Sequence, residues 1–288
     1  VLVGQARDEA EAVLAASGVR DPDRDADRLL RHLLGWDAAT LFLRDREEVA
    51  PDVLLRYREL VVRRASRIPL QHLIGLQAFW RHEFVVSPDV LVPRPETELL
   101  VEIGLELLRD RARPVIVDVG TGSGCIALSL AAERPDAVVH AIDLSPAALA
   151  VARANARRLG LSERVAFHEG DLLAPLPGPC CDLVVSNPPY VDPVELQSLE
   201  PEVRDHEPRL ALCPRGEDPL ALYARLAAQA ASALVPGGHL AVEIGMGMEG
   251  GVAAAFEAAG LVVDRVAPDL AGIARVVVAR RTGPPVPP

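Results

Sequence analysis

From Pro114 onward the chain alternates between short β-branched runs and longer Ala- and Leu-rich stretches, and this alternation constrains the fold more than any other feature. "PVIVDVG", "AVVHAIDLS", "RVAFHEGD", "CDLVVSNPPY" and "GGHLAVEIG" read as strands. "SGCIALSLAAER", "PAALAVARANARRLG", "DPLALYARLAAQAASALV" and "GGVAAAFEAAG" read as helices between or after them, and "LVVDRVAPDLAGIARVVVARR" supplies two final strands. Ser145 is placed as a helix cap with Pro146 at the first helical position. Strands that alternate with helices form a mostly parallel sheet covered on both faces, so the expected class is α/β with seven strands.

Upstream the period is different. Residues from about Gln5 to Arg67 read as three or four short helices. Gly18 and Gly35 close the first two, and Pro51 opens the last. Arg56, Arg58, Arg63, Arg64 and Arg67 give the last helix a basic side, either a solvated face or a docking patch. "FWRHEFVV" alternates and is rich in aromatic and branched residues, as in a hairpin, and Pro88, Pro93 and Pro95 mark turns and a linker. A helix is expected from about Glu96 to Arg109. The expected organisation is a helical domain over 1–74, a hairpin and linker over 75–95, the α/β domain over 96–281 and a disordered tail over 282–288.

Half of the 288 residues are hydrophobic, enough for one large domain or a medium and a small one. No apolar run approaches the roughly 18 residues of a membrane span. The opening "VLVGQARDEA" lacks a basic stretch followed by an apolar one, so no secretory leader is expected and a cytoplasmic location is; its first residue is Val, which suggests that a few residues have been removed. Cys125, Cys180, Cys181 and Cys213 show no metal-ligand spacing and read as reduced, mostly buried thiols. The seven His are scattered, so no metal site is expected. The net charge is −11 and every cation is Arg, with no Lys. A chain that grips a long nucleic acid needs a basic face, so direct nucleic-acid binding is not expected.

"VDVGTGSGCIALSL" lies where a strand turns into a helix. Gly120, Gly122 and Gly124 let the backbone approach a ligand closely. Asp143 closes the next strand, where an acid accepts hydrogen bonds from ribose hydroxyls, and Asp171 is expected to end the one after. The spacing is G-x-G-x-G, with Cys125 where the nicotinamide fingerprint has its last Gly. The loop carries no cation for a phosphate, so an adenosyl ligand without phosphates suits it better than a dinucleotide or nucleoside triphosphate.

The next strand is expected to end on Asn187, followed by Pro188, Pro189 and Tyr190. Two prolines stiffen the turn and remove two N–H donors. What remains are acceptors, the Asn187 side-chain carbonyl and the Pro188 backbone carbonyl, beside the flat ring of Tyr190. Two acceptors and a ring fit a planar NH2 group. Holding both hydrogens aims a delocalised nitrogen and favours a more tetrahedral, more nucleophilic shape.

These features resemble class I S-adenosylmethionine-dependent methyltransferases, and "NPPY" is similar to the motif of enzymes that methylate planar nitrogens. "PLQHLIGLQAFWRHEFVVSPDVLVPRPETELLVE", "DVGTGSGCIALSLA", "AIDLSPAALAVARANA", "VSNPPY" and "EVRDHEPRLAL" together resemble the bacterial release factor glutamine methyltransferases, the PrmC/HemK family, from about Pro69 to Gly245. The resemblance implies a Rossmann-like methyltransferase domain with S-adenosyl-L-methionine as methyl donor. It implies as substrate the glutamine of the Gly-Gly-Gln motif in class I peptide chain release factors, with the N-terminal bundle helping to dock that protein. The implied cofactor residues are Gly120, Thr121, Gly122, Ser123, Gly124, Asp143, Asp171, Leu172 and Asn187, with Leu172 standing where some members carry an aromatic residue. Asn187, Pro188, Pro189 and Tyr190 are implied to bind the target amide, with Asn187, Pro188 and Tyr190 as the catalytic set. In-line displacement at the sulfonium methyl is the implied reaction, and the chain is expected to act as a monomer. The alternatives are an adenine-N6 nucleic-acid methyltransferase with the same NPPY chemistry and a cofactor-binding scaffold without catalysis.

Overall fold

The structure, a computed structural model, describes residues 1–176, 181–216 and 218–283. Cys180 and most of the expected tail therefore lie outside the described residues. The chain divides into two compact units, one formed by residues 1–76 with 199–206 and the other by 77–198 with 207–288.

The first unit is built from α1 (Val3–Ala16), α2 (Pro22–Leu34), α3 (Ala38–Leu43), α4 (Pro51–Ala65) and α5 (Leu70–Ile74), one or two more helices than the sequence suggests. Gly18 and Gly35 adopt positive φ just past α1 and α2, the usual way for a helix to stop. Leu14, Leu29, Leu30 and Tyr57 are fully buried, and the Tyr57 hydroxyl donates to the Ala26 carbonyl at 3.0 Å. The arginines of α4 do not form one free basic face. Arg64 is buried, with ion pairs to Asp25 at 2.7 Å and Glu202 at 2.9 Å. Arg67 grips Glu202 with two donors at 2.7 and 2.6 Å, and Arg58 pairs with Glu9 at 2.9 Å. Glu202 comes from the short helix α9 (Pro201–His206), far along the chain; such a partner is invisible to local periodicity.

The second unit opens with a two-stranded sheet, β1 (Leu76–Phe79) and β2 (His82–Val85), the hairpin anticipated from its alternation. A 3-10 turn (Pro95–Thr97) leads into α6 (Glu98–Leu107), where a single helix was expected. Then follow β3 (Val115–Val119), α7 (Cys125–Glu133), β4 (Val138–Asp143), α8 (Pro146–Arg158), β5 (Val165–Glu169) and β6 (Cys181–Ser186). After the short helix α10 (Arg209–Leu212) come α11 (Pro219–Ala233), β7 (Leu234–Glu243), α12 (Glu249–Ala258), β8 (Leu261–Pro268) and β9 (Ala274–Arg281). Ser145 caps α8, its hydroxyl accepting from Ala148 N at 3.2 Å.

The seven-stranded sheet runs β5-β4-β3-β6-β7-β9-β8, parallel except at β9. Strand periodicity divides its side chains between two cores. Ile116, Leu183, Val185 and Ala241 face α6 and α7, whereas Val117, Val184, Leu240 and Val242 face α11 and α12. No helix of the described residues is long and apolar enough to cross a membrane.

One polar side chain ties three segments of this unit together. Asn155 on α8 is fully buried; its Oδ1 accepts from Val85 N at 2.7 Å, and its Nδ2 donates to the carbonyls of Val85 at 3.0 Å and Ser123 at 2.9 Å. It fastens β2 and the glycine loop to α8. Asn155→Ala leaves three backbone groups unpaired and lowers the unfolding free energy by about 3 kcal/mol, to be read as a reduced urea midpoint with unchanged slope.

Candidate cofactor and substrate site

The site is set by strand register. Val119 pairs with Ile142 on one side and with Ser186 on the other, so Gly120, Asp143 and Asn187 lie level at the carboxyl edge of three adjacent strands. The chain order reverses here, since β4 and β5 lie on one side of β3 and β6 on the other. Such a switch point is where open α/β sheets bind ligands. Two expected strand ends need correction. β6 stops at Ser186, before Pro188, which cannot donate to a ladder. β5 stops at Glu169; Gly170 N makes a last bond to Asp143 O at 3.0 Å, and Asp171 begins a turn.

The glycine loop is held from both ends. Gly120 N and Thr121 N both donate to the Ile142 carbonyl, at 2.9 and 3.0 Å. Asp143 accepts from Gly122 N through Oδ2 and from Ser145 N through Oδ1, both at 2.8 Å. Burial raises its pKa, and these backbone donors oppose the shift. Each Asp143 oxygen keeps a second lone pair for a ligand hydroxyl. Beneath the loop, fully buried Asp118 accepts from the Thr121 hydroxyl at 2.6 Å and from Ala127 N at 3.1 Å, and burial pushes its pKa up to about 7. Gly124, at φ +82°, starts α7 against α8, where an added Cβ would meet that of Ala152 at 3.2 Å. It serves packing; the ligand side of the loop belongs to its neighbours.

At the β6 end, Asn187 Nδ2 donates to the buried Thr97 hydroxyl at 3.1 Å, so the NH2 end of the carboxamide faces inward and Oδ1 is left on the other side. Pro188 is buried and Pro189 half-buried. Tyr190 lies half-buried against Gly245, whose missing Cβ would meet its ring at 3.1 Å, and burial lifts its pKa to about 12. Arg94 donates to both oxygens of the buried Glu207 carboxylate at 2.8 Å.

These elements surround a cavity of about 410 Å³, a volume suited to a nucleoside-sized ligand. Gly120, Thr121, Gly122, Ser123, Asp143, Asp171, Leu172, Asn187, Pro188 and Pro189 line it. Gly124 and Tyr190 do not. Asp171 reaches the cavity with its carboxylate engaged by Arg225, at 3.1 Å through each oxygen. Leu172 is buried at φ +52°, a strained conformation for a branched residue, and presents an aliphatic surface to the cavity.

Sequence reasoning passed over Val90, Pro93, Arg94 and Thr97, which line the cavity from the Pro-rich segment before α6, and Leu144 and Ala148 beside Asp143. The signal for the first group was an Arg and a Thr set among prolines, which suits a fixed loop better than a flexible linker. Three arginines, Arg94, Arg215 and Arg225, also line the cavity. Two of them are paired with acids, Arg94 with Glu207 and Arg225 with Asp171. The lining fits a nucleoside-type ligand: apolar walls, a carboxylate for hydroxyls, and a glycine loop whose Cβ-free backbone approaches closely.

The comparisons with known proteins agree with this geometry. Residues 5–75 match the family model of the PrmC N-terminal domain, and residues 96–200 match that of the methyltransferase small domain. A release factor glutamine methyltransferase of Rhodospirillum rubrum is 42% identical over 100% of this chain and 88% of its own length. One from Deinococcus radiodurans is 46% identical over 96% of this chain and 97% of its own. A methyltransferase of Pyrococcus furiosus, at 15% identity and a TM-score of 0.50 over 79% of this chain and 98% of that one, shares the fold alone. At this identity over nearly its full length, with the strand-end residues of a methyltransferase in one cavity, the chain belongs to the release factor glutamine methyltransferase family.

Proposed function

We propose that this chain methylates the side-chain amide nitrogen of the glutamine in the Gly-Gly-Gln motif of class I peptide chain release factors, with S-adenosyl-L-methionine as donor. The observation that carries the reading is the corner at Asn187. Its NH2 end is occupied by Thr97, Pro188 and Pro189 carry no N–H, and it borders a cavity of nucleoside size. The side that meets a substrate is rich in acceptors and poor in donors. A primary carboxamide has two hydrogens to give and complements it; a hydroxyl or carboxylate does not. The names of the full-length relatives agree with that choice of substrate.

In this reading the Asn187 Oδ1 and Pro188 carbonyl oxygens each accept one amide hydrogen. Held this way, the nitrogen cannot rotate, and its lone pair is directed away from the two acceptors. As the nitrogen gives up that lone pair its hydrogens become more positive, so both hydrogen bonds strengthen toward the transition state. Bound S-adenosyl-L-methionine supplies a methyl group on a positively charged sulfur. Asp143 holds ribose hydroxyls, the loop over Gly120, Thr121, Gly122 and Ser123 passes against the ligand, and Leu172 covers the adenine. Asp171, held by Arg225, closes the rim. Tyr190, behind the corner, stiffens it from the protein side. The unit at 1–74 docks the release factor, 75–95 connects it, and 96–281 carries the chemistry, in a cytoplasmic monomer.

The direct test is incubation of the chain with a purified class I release factor and methyl-labelled donor. One methyl per release factor, abolished when its Gly-Gly-Gln glutamine is replaced, is the expected result; equal labelling of a DNA or RNA oligonucleotide contradicts the reading. Asn187→Ala lowers kcat by about 100-fold and leaves donor affinity within about threefold, since the lost acceptor bonds the target amide rather than the donor and its bond strengthens toward the transition state. Asp143→Ala weakens donor binding by about tenfold, measured by calorimetry, because a charged acceptor is removed and the Gly122 N–H is freed.

A further inference from the structure

Glu243 ends β7, a strand otherwise apolar along its inner stretch, and its carboxyl group is almost fully buried at 3% exposure. Ser186 pairs with Val242, so the next residues, Asn187 and Glu243, lie level at the sheet edge. The side chains of Thr97 and Asn187 reach the Glu243 carboxyl, and its Oε2 has no hydrogen-bond partner. A carboxylate in such a place costs stability that an apolar residue would not. It touches no part of the cavity surface, so its use must run through a neighbour.

We propose that Glu243, together with Thr97, is the positioning device that fixes which end of the Asn187 carboxamide faces the substrate. This rests on the reading of Asn187 as an acceptor for the target amide. An ionised carboxylate only accepts hydrogen bonds, and a hydroxyl donates just one. Thr97 Oγ1 accepts from Asn187 Nδ2, and its own proton is then directed to Glu243. The Glu243 carboxyl also lies close enough to feel the Asn187 side chain, which lowers its pKa. If the carboxamide turned over, its oxygen would face the carboxylate and both of its N–H groups would point at a pocket built to receive hydrogens. The inward NH2 is therefore the favoured arrangement. The buried charge has a second effect: it draws the NH2 hydrogens and shifts electron density toward Oδ1, making it a stronger acceptor as positive charge grows on the substrate nitrogen.

The device is sensitive to protonation. Burial pushes the Glu243 pKa up to about 7; Thr97, Arg275 and Asn187 oppose the shift and Glu96 adds to it. Tyr190, Tyr223 and Cys125 also face this carboxyl, and each has a raised pKa, so they stay neutral across the range in which it titrates. The ionised form prevails above that pKa. As pH falls through about 7, Glu243 gains a proton, becomes able to donate, and ceases to specify the orientation, so kcat falls on the acid side.

The test compares the full chain with Glu243→Gln, Thr97→Val, Thr97→Ser and Asn187→Ala, reading kcat, KM for the release factor and donor Kd from about pH 6 to 9. Glu243→Gln lowers kcat about tenfold or more at high pH, keeps the donor Kd within about twofold, and loses the acid limb of the pH profile. Thr97→Val lowers kcat in the same way, and Thr97→Ser recovers most of that loss. Wild-type kcat in either Glu243→Gln or Thr97→Val overturns the inference. So does a loss shared equally by kcat and donor affinity, the mark of a merely structural role. Glu243→Gln at full rate beside an inactive Asn187→Ala removes this inference alone, whereas an active Asn187→Ala removes both it and the proposed function.

Discussion

The parallel pairing of β3 with β4 and β6 is the constraint on which the rest depends. Because Val119 is in register with both Ile142 and Ser186, the next residue on each of three strands comes out at the same level of the sheet edge. One is a glycine, one an aspartate and one an asparagine. A shift of one residue in either ladder would turn every side chain of that strand to the opposite face and carry its strand-end residue away from the other two. The two apolar cores on either face of the sheet fix that register, so the burial of residues such as Ile116, Val117, Leu183 and Val184 is also what aims the site.

Around that edge the protein buries polar groups that an economical core would avoid. Asp118 anchors the glycine loop from below, Asp143 from in front, and Asn155 ties the same loop to β2. Thr97 accepts from Asn187 behind the corner, and the buried Glu243 carboxyl is close to both, where we assign it the equivalent role. Each buried carboxyl has its pKa raised by lost hydration. What is gained is rigidity in a loop and a turn that a ligand must find already formed. Preorganised acceptors stabilise developing charge without rearranging at the moment of reaction.

The frame of this molecule was legible because periodicity and caps are local signals. The seven strands, the Ser145 cap, Gly35 and Pro51 all follow from residues within a turn of one another. The strand-end logic also singled out Gly120, Asp143 and Asn187. Less legible was everything that depends on a distant partner. Glu202 joins the helical unit from over 130 residues away through Arg64 and Arg67. Asn155 sits in an Ala- and Arg-rich helix with nothing local to distinguish it from a surface residue. Asp171 was expected as a strand-end acid and proves to be bound by Arg225, and Tyr190 packs beside Gly245 outside the cavity lining. Glu243 does carry a local signal, a lone acid closing an apolar strand at the same sheet edge as Asn187.

The central claim is that a corner without donors grips both hydrogens of a carboxamide, with Asn187 turned oxygen-outward. A crystal structure of the chain with S-adenosyl-L-homocysteine and a Gly-Gly-Gln peptide measures this directly. The account predicts the glutamine nitrogen within about 3.2 Å of both Asn187 Oδ1 and the Pro188 carbonyl oxygen, with Asn187 Nδ2 still on Thr97. A glutamine nitrogen that contacts neither oxygen, or an Asn187 that offers its NH2 to the peptide, would contradict it.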